Sequence, residues 1–162
     1  MIKSLLLAAA ATVALASAAS AQVLTEKNIS ANLAVEIAQG AVAACAADKY
    51  NVTAAVVDRA GVLRAMVRAD NAGPHTVAAA RDKAFTSASA RNATSAIADT
   101  VQKNPAAAGI ARIEGFLVLG GGLPIKAGDA VIGAVGVGGA PGGHLDEACA
   151  AKAIEKVAGQ LK

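Results

Sequence analysis

Aromatic side chains are almost missing from this sequence. It has one tyrosine, two phenylalanines and no tryptophan in 162 residues, so it lacks the stacking platforms that hold single-stranded nucleic acid. Basic runs are missing too. No two Lys or Arg residues are adjacent, and beyond Lys3 fourteen basic residues face twelve acidic ones. A balance of +2, spread this evenly, excludes a nucleic-acid partner. Histidine is limited to His75 and His144, with no His-x₃-His or Cys-x₂-Cys pair to build a zinc site. The absence of Cys-x-x-Cys-His excludes covalent haem attachment. There is no Gly-x-Ser-x-Gly elbow and no Gly-Lys-Ser/Thr phosphate loop, and Pro141 stands where a dinucleotide fingerprint needs glycine. The carboxylates Asp58, Asp70, Asp82, Asp146 and Glu147 are scattered, so no catalytic set is expected.

What is present begins with a leader. Lys3 gives a positive start, Leu5 to Ala16 an apolar stretch, and Ala19-Ser20-Ala21 a small-residue cleavage site before Gln22. The apolar stretch is too short for a membrane span. Residues 1–21 are therefore expected to be a cleaved signal peptide, residues 22–162 one domain, and the mature protein periplasmic or secreted. Apolar residues make up 55% of the chain and charged residues 17%. Even after part of the apolar share is assigned to the leader, that balance predicts a homo-oligomer.

Apolar positions four apart, at Ile29, Leu33, Ile37, Ala41 and Cys45, predict a first helix from an N-cap at Thr25 to about Lys49. Val52 to Asp58 and Val62 to Arg68 are β-rich and joined by Arg59-Ala60-Gly61, a hairpin turn. A loop from Asp70 to Pro74 leads into a helix opening at His75-Thr76, with Val77, Ala80, Ala84 and Ala88 as its buried stripe. A shorter helix restarts after Asn92-Ala93-Thr94 and ends before Asn104-Pro105. Phe116 to Leu119 reads as a third strand, followed by a short strand, the long strand Ala130 to Gly138, a glycine loop and a final helix near Leu145.

This order predicts one domain of the α/β (α+β) class. Its mostly antiparallel sheet has about five strands, with the terminal helices on one face and the central ones at the edge or on the other. Alternation along the long strand puts Val131, Val135 and Val137 on one face and Ile132, Ala134, Gly136 and Gly138 on the other. A face ending in glycines admits a close neighbour: a packed helix, a partner subunit or a flat ligand. The final helix could attract an anion through its free N–H groups, but Asp146 and Glu147 in its first turn favour a capped helix instead.

Several blocks together carry a resemblance. They are Val57-Asp58-Arg59-Ala60-Gly61, Arg68-Ala69-Asp70-Asn71-Ala72, Ala80-Arg81-Asp82-Lys83-Ala84, Gly121-Gly122-Leu123-Pro124-Ile125, Val131 through Gly139, and Asp146-Glu147-Ala148-Cys149-Ala150. In this order and spacing the chain resembles the GlcG/HbpS family over residues 24–158. The resemblance implies a profilin- or PAS-like fold, an oligomer and, in several members, bound haem. The cysteines Cys45 and Cys149 are an even pair that an oxidising compartment would allow to bond. Two separate buried thiols are the favoured reading, because the family's Asp-Glu-x-Cys-Ala block often lacks a partner cysteine.

Non-covalent haem needs an axial ligand and an apolar slot. His75, after a Gly-Pro turn at a helix start, is the expected iron ligand, with His144 the second candidate metal ligand. Tyr50 is read as an ordinary half-buried ring. Arg68, Arg81 and Lys83 are the expected partners of the propionates, and Ile132, Ala134, Gly136 and Gly138 the expected slot. The shortage of aromatics argues against a pocket inside one subunit and for a slot between subunits. The function expected is an exported haem- or tetrapyrrole-binding protein for storage, delivery or sensing. The alternative is a non-enzymatic oligomeric accessory or sensor protein binding a partner or small metabolite, linked through the resemblance to organic-acid utilisation.

Overall fold

β1 (Thr53–Asp58) is buried at all six positions, a pattern that requires cover on both faces of its sheet. The computed structural model describes residues 22–162, and the expected leader, residues 1–21, lies outside them. The elements run α1 (Ala31–Ala47), β1, β2 (Leu63–Arg68), α2 (His75–Ala90), α3 (Thr94–Lys103), a 3-10 segment (Pro105–Arg112), β3 (Gly122–Ala127), β4 (Ala130–Gly138) and α4 (Gly143–Lys156). A last 3-10 turn, Ala158–Gln160, follows. The four strands form one sheet of order β2-β1-β4-β3, antiparallel at every pairing. Helices α1 and α4 pack side by side on one face, α2 covers the other, and α3 touches the β3 edge.

The α+β reading holds, with four strands where about five were expected. Phe116 to Leu119 is the difference. Its backbone turns on itself, with Leu119 N–H on the Leu117 carbonyl, and Leu117 N–H donates to Thr86 Oγ1 at 2.8 Å. A side chain of α2 thus takes a bond that a strand partner would have needed. The first helix also starts later than Thr25. Ser30 is its N-cap, accepting from Leu33 N–H, because Ile29 N–H is bonded to the Ile132 carbonyl on β4. The hairpin turn is as expected, with Gly61 at φ +81°.

The larger core lies between the sheet and the α1/α4 layer. It gathers Ile37, Ala41, Val56, Ile125, Val135, Val137 and Ala153, all small or medium side chains. On the opposite face Val57, Ala84, Ala88 and Ala134 form the second cluster. Here the glycine face of β4 meets α2. A Cβ built on Gly136 would lie 2.1 Å from the Ala80 carbonyl oxygen and 2.4 Å from Ala84 N. Helix backbone therefore rests directly on strand backbone, and dispersion contact replaces the aromatic bulk the sequence lacks.

This packing corrects the expected ligand slot. Ala134 and Gly136 are buried beneath α2, so the close neighbour is a helix and no flat ligand enters there. Ile132 leaves that face altogether. The β3–β4 register shifts from Ile125↔Gly133 to Lys126↔Val131, which makes Ile132 an extra residue in a β-bulge. One extra residue reverses which side faces where, and Ile132 joins the α1-side core. Gly136→Ala is expected to cost about 3 kcal/mol or more in urea unfolding, because the clash is with helix backbone rather than a movable side chain. A loss under ~1 kcal/mol would show that α2 can lift freely off β4.

Candidate functional site

The start of α2 is fixed by four side-chain hydrogen bonds. Thr76 Oγ1 donates to the Gly73 carbonyl at 2.6 Å and meets Thr53 Oγ1 on β1 at 2.7 Å. Arg68, at the end of β2, donates through Nε to the Ala72 carbonyl at 3.1 Å and through Nη2 to the same oxygen. His75 is thereby placed at the first helical position, exposed, with its ring folded over Gly73. Opposite it, β4 ends in the loop Gly139-Ala140-Pro141-Gly142 that leads into α4. Gly139 has φ +133°, and a side chain there would meet the Asn51 carbonyl at 2.7 Å, so only glycine serves.

Between these elements lies a cleft of about 290 Å³. His75, Ala79, Leu119, Gly138 and Pro141 line it, and Lys83 and Asp146 also contribute to its wall. Those two are an ion pair at 2.8 Å, 5% and 2% exposed. Lys83 Nζ also donates to the Val137 carbonyl at 3.0 Å, and Asp146 Oδ1 accepts from Ala140 N–H at 3.0 Å. The pair therefore joins α2, the end of β4, the glycine loop and α4. Burial pushes the Asp146 carboxyl above its usual 3.8, against the lowering effects of Lys83 and of the Ala140 N–H.

Glu147 has a parallel duty. Its Oε1 accepts from Ser95 N–H at 3.0 Å and Gly121 N–H at 3.3 Å, supplying the cap that Ala93 cannot give α3. Neither acidic residue caps α4, which begins at Gly143 with no side-chain cap. The expectation of a self-capped final helix is corrected accordingly.

The expected site residues are only partly brought together. His75 and Gly138 line the cleft. Lys83 is there too, but it is spent on Asp146 and Val137 and cannot serve a propionate. Arg68 is held to the loop that precedes His75. Arg81 is elsewhere: it pairs with Asp82 at 2.9 Å and borders a separate hollow of about 390 Å³ with Gly61, Leu63, Phe85 and Glu114. That hollow is larger, but its charges are on the surface and no imidazole or buried polar group serves it. His144 is exposed in the first turn of α4 with its ring over Gly142. Among the described residues no group of three or more His, Cys, Asp or Glu side chains is placed to hold a metal. Ala79, Leu119 and the Asp146 carboxylate escaped the sequence reading; the Lys83–Asp146 contact spans 63 positions and has no local signal.

The cysteines overturn the reading of two separate thiols. Cys45 and Cys149 form a disulfide, with Cα atoms 5.3 Å apart, because the end of α1 lies against the second turn of α4.

With this geometry in hand, comparison with known proteins decides the family. The model of the family described as "Haem degrading protein HbpS-like" matches residues 29–155. The chain belongs to the HbpS-like family. A double-mutant form of Streptomyces reticuli HbpS is 35% identical, with a TM-score of 0.80, over 93% of this chain and 99% of that one. Klebsiella pneumoniae protein ORFY is 26% identical at a TM-score of 0.78, over 83% of this chain and 93% of its own. PduOC, crystallised as a heme complex, is 23% identical at 0.71 over 79% and 94%, a likeness of fold. No curated protein matches the chain at a significant level.

The ion pair of this HbpS-like chain can be tested directly. Lys83→Met leaves a buried carboxylate without its cation and is expected to cost about 3–5 kcal/mol, whereas Lys83→Met with Asp146→Leu should recover most of that loss. The raised carboxyl also sets a pH trend. Its stabilising contribution is complete below 3.8 and is lost as pH rises through the higher folded value. The stability difference between wild type and Asp146→Asn should therefore fall from acid toward neutral pH; urea unfolding across that range checks it, and a rising difference would contradict it.

Proposed function

We propose that this protein binds haem, or a related tetrapyrrole, at the cleft where α2 begins, for storage, delivery or sensing outside the cytoplasm. The observation that carries the reading is an exposed imidazole at the mouth of a cleft with mixed apolar and polar walls, in a chain of the HbpS-like family. The PduOC complex adds that the fold accommodates haem.

The residues fit such a group in part. His75 offers a ring nitrogen of the kind that ligates iron, and Ala79, Leu119 and Pro141 offer apolar walls. The start of α4, which has no side-chain cap, supplies positive potential for propionates, while Arg68 holds the loop that leads into His75. When bound, the macrocycle would supply the iron chemistry, while these residues anchor and orient it. A cleft of about 290 Å³ is at the small end of ligand sites. A macrocycle would extend past its mouth, which suits a homo-oligomer in which a second copy closes the site. Export rests on the leader motif at residues 1–21. Among the described residues no helix is long and apolar enough to cross a membrane.

The same small volume supports a second reading, an accessory or sensor protein that holds a small metabolite. Hemin titration separates the two. Haem binding predicts a sharpened, shifted Soret band, altered in His75→Ala with about tenfold weaker affinity and an unchanged circular dichroism spectrum. A broad spectrum of free or adsorbed hemin would transfer support to the metabolite reading, and a sharpened His75→Ala spectrum identical to wild type would remove His75 as the iron ligand.

A further inference from the structure

The buried faces of α1 and α4 are rich in small side chains. The buried stripe of α1 is Ala34, Ile37, Ala38, Ala41 and Cys45, and α4 buries Cys149, Ala150 and Ala153. A Cβ on Gly40 would already lie 3.3 Å from Ala153 Cβ, so the helices are close. Such an interface packs tightly but removes little apolar area from water. The disulfide sits inside it, and it closes a loop of 104 residues that contains the whole sheet, α2 and α3. A cross-link across so long a loop removes far more disorder from the unfolded chain than a short one would. Both cysteines are buried, Cys45 at 0% and Cys149 at 1% exposure.

We infer that the Cys45–Cys149 bond is a folding latch that restricts the stable protein to an oxidising compartment. The bond forms while the chain is open. The two thiols give up two protons and two electrons, a sulfur–sulfur bond forms, and an external disulfide is reduced to two thiols that take up the protons. Once α4 docks, the bond is shielded from reductants. The latch also reaches the cleft, because Asp146 and Glu147 lie on α4 within one turn of Cys149. A reduced chain loses the anchor of the helix that holds the glycine loop.

The test uses the purified oxidised protein beside the same protein unfolded, reduced and returned to native buffer with reductant. Chemical reduction keeps both side chains in place, so packing and cross-linking are separated. The reduced protein is expected to show a folded-to-unfolded ratio lower by roughly a thousandfold, with exchange protection lost first in α1 and α4. Cys45→Ala alone should match the reduced protein to within tenfold. In the oxidised native protein, reduction should proceed only as fast as denaturant opens the fold. A reduced protein with the denaturant midpoint of the oxidised one would overturn the latch, as would rapid reduction that is independent of denaturant.

Discussion

The backbone-to-backbone approach of α2 to Gly136 is the constraint on which the rest of the structure depends. No side chain at position 136 could stand between the Ala80 carbonyl and the strand. The close approach fixes the height and direction of α2, and through them two distant consequences. At its N-terminus, His75 is presented at the end of β4. Two turns later, Lys83 reaches the Val137 carbonyl and the Asp146 carboxylate. A bulkier residue at Gly136 would move both ends of the site together. The scarcity of aromatics thus has a structural counterpart in a core assembled from alanine, glycine, valine and isoleucine at short range.

Buried charge does the remaining positioning. Lys83 and Asp146 are too well covered to act as a surface pair, and their burial is compensated by one backbone carbonyl and one backbone N–H. Such pairs contribute little net stability but penalise every arrangement that separates the partners. Here the arrangement specified is that of the glycine loop and the start of α4. Glu147 extends the same logic to α3 and to the glycine run before β3. Two adjacent acidic residues, read in the sequence as helix-end charges, are in fact ties from α4 to other elements.

The elements from the first helix to α3 and the hairpin at Gly61 were legible because period-2 and period-4 patterns are local. The terminal helices sharing one face followed from them. Ile132 was misplaced because a bulge breaks the alternation that any pattern reading assumes. Phe116 to Leu119 has the composition of a strand, but Thr86 intercepts its backbone. The fates of Lys83 and of the cysteines depended on contacts 63 and 104 positions apart, which composition cannot announce. Of the proposed site, His75 was visible through its Gly-Pro turn, while Arg81 was lost because helical rotation turns it toward another hollow.

Hydrogen exchange measured with and without hemin addresses the central claim, that ligand occupies the cleft between the start of α2 and the β4–α4 loop. Amides at residues 73–79 and 138–144 should exchange more slowly in the hemin-bound protein, while those around Gly61, Phe85 and Glu114 stay unchanged. Protection confined to the hollow beside Phe85, with none at the His75 loop, would contradict the account.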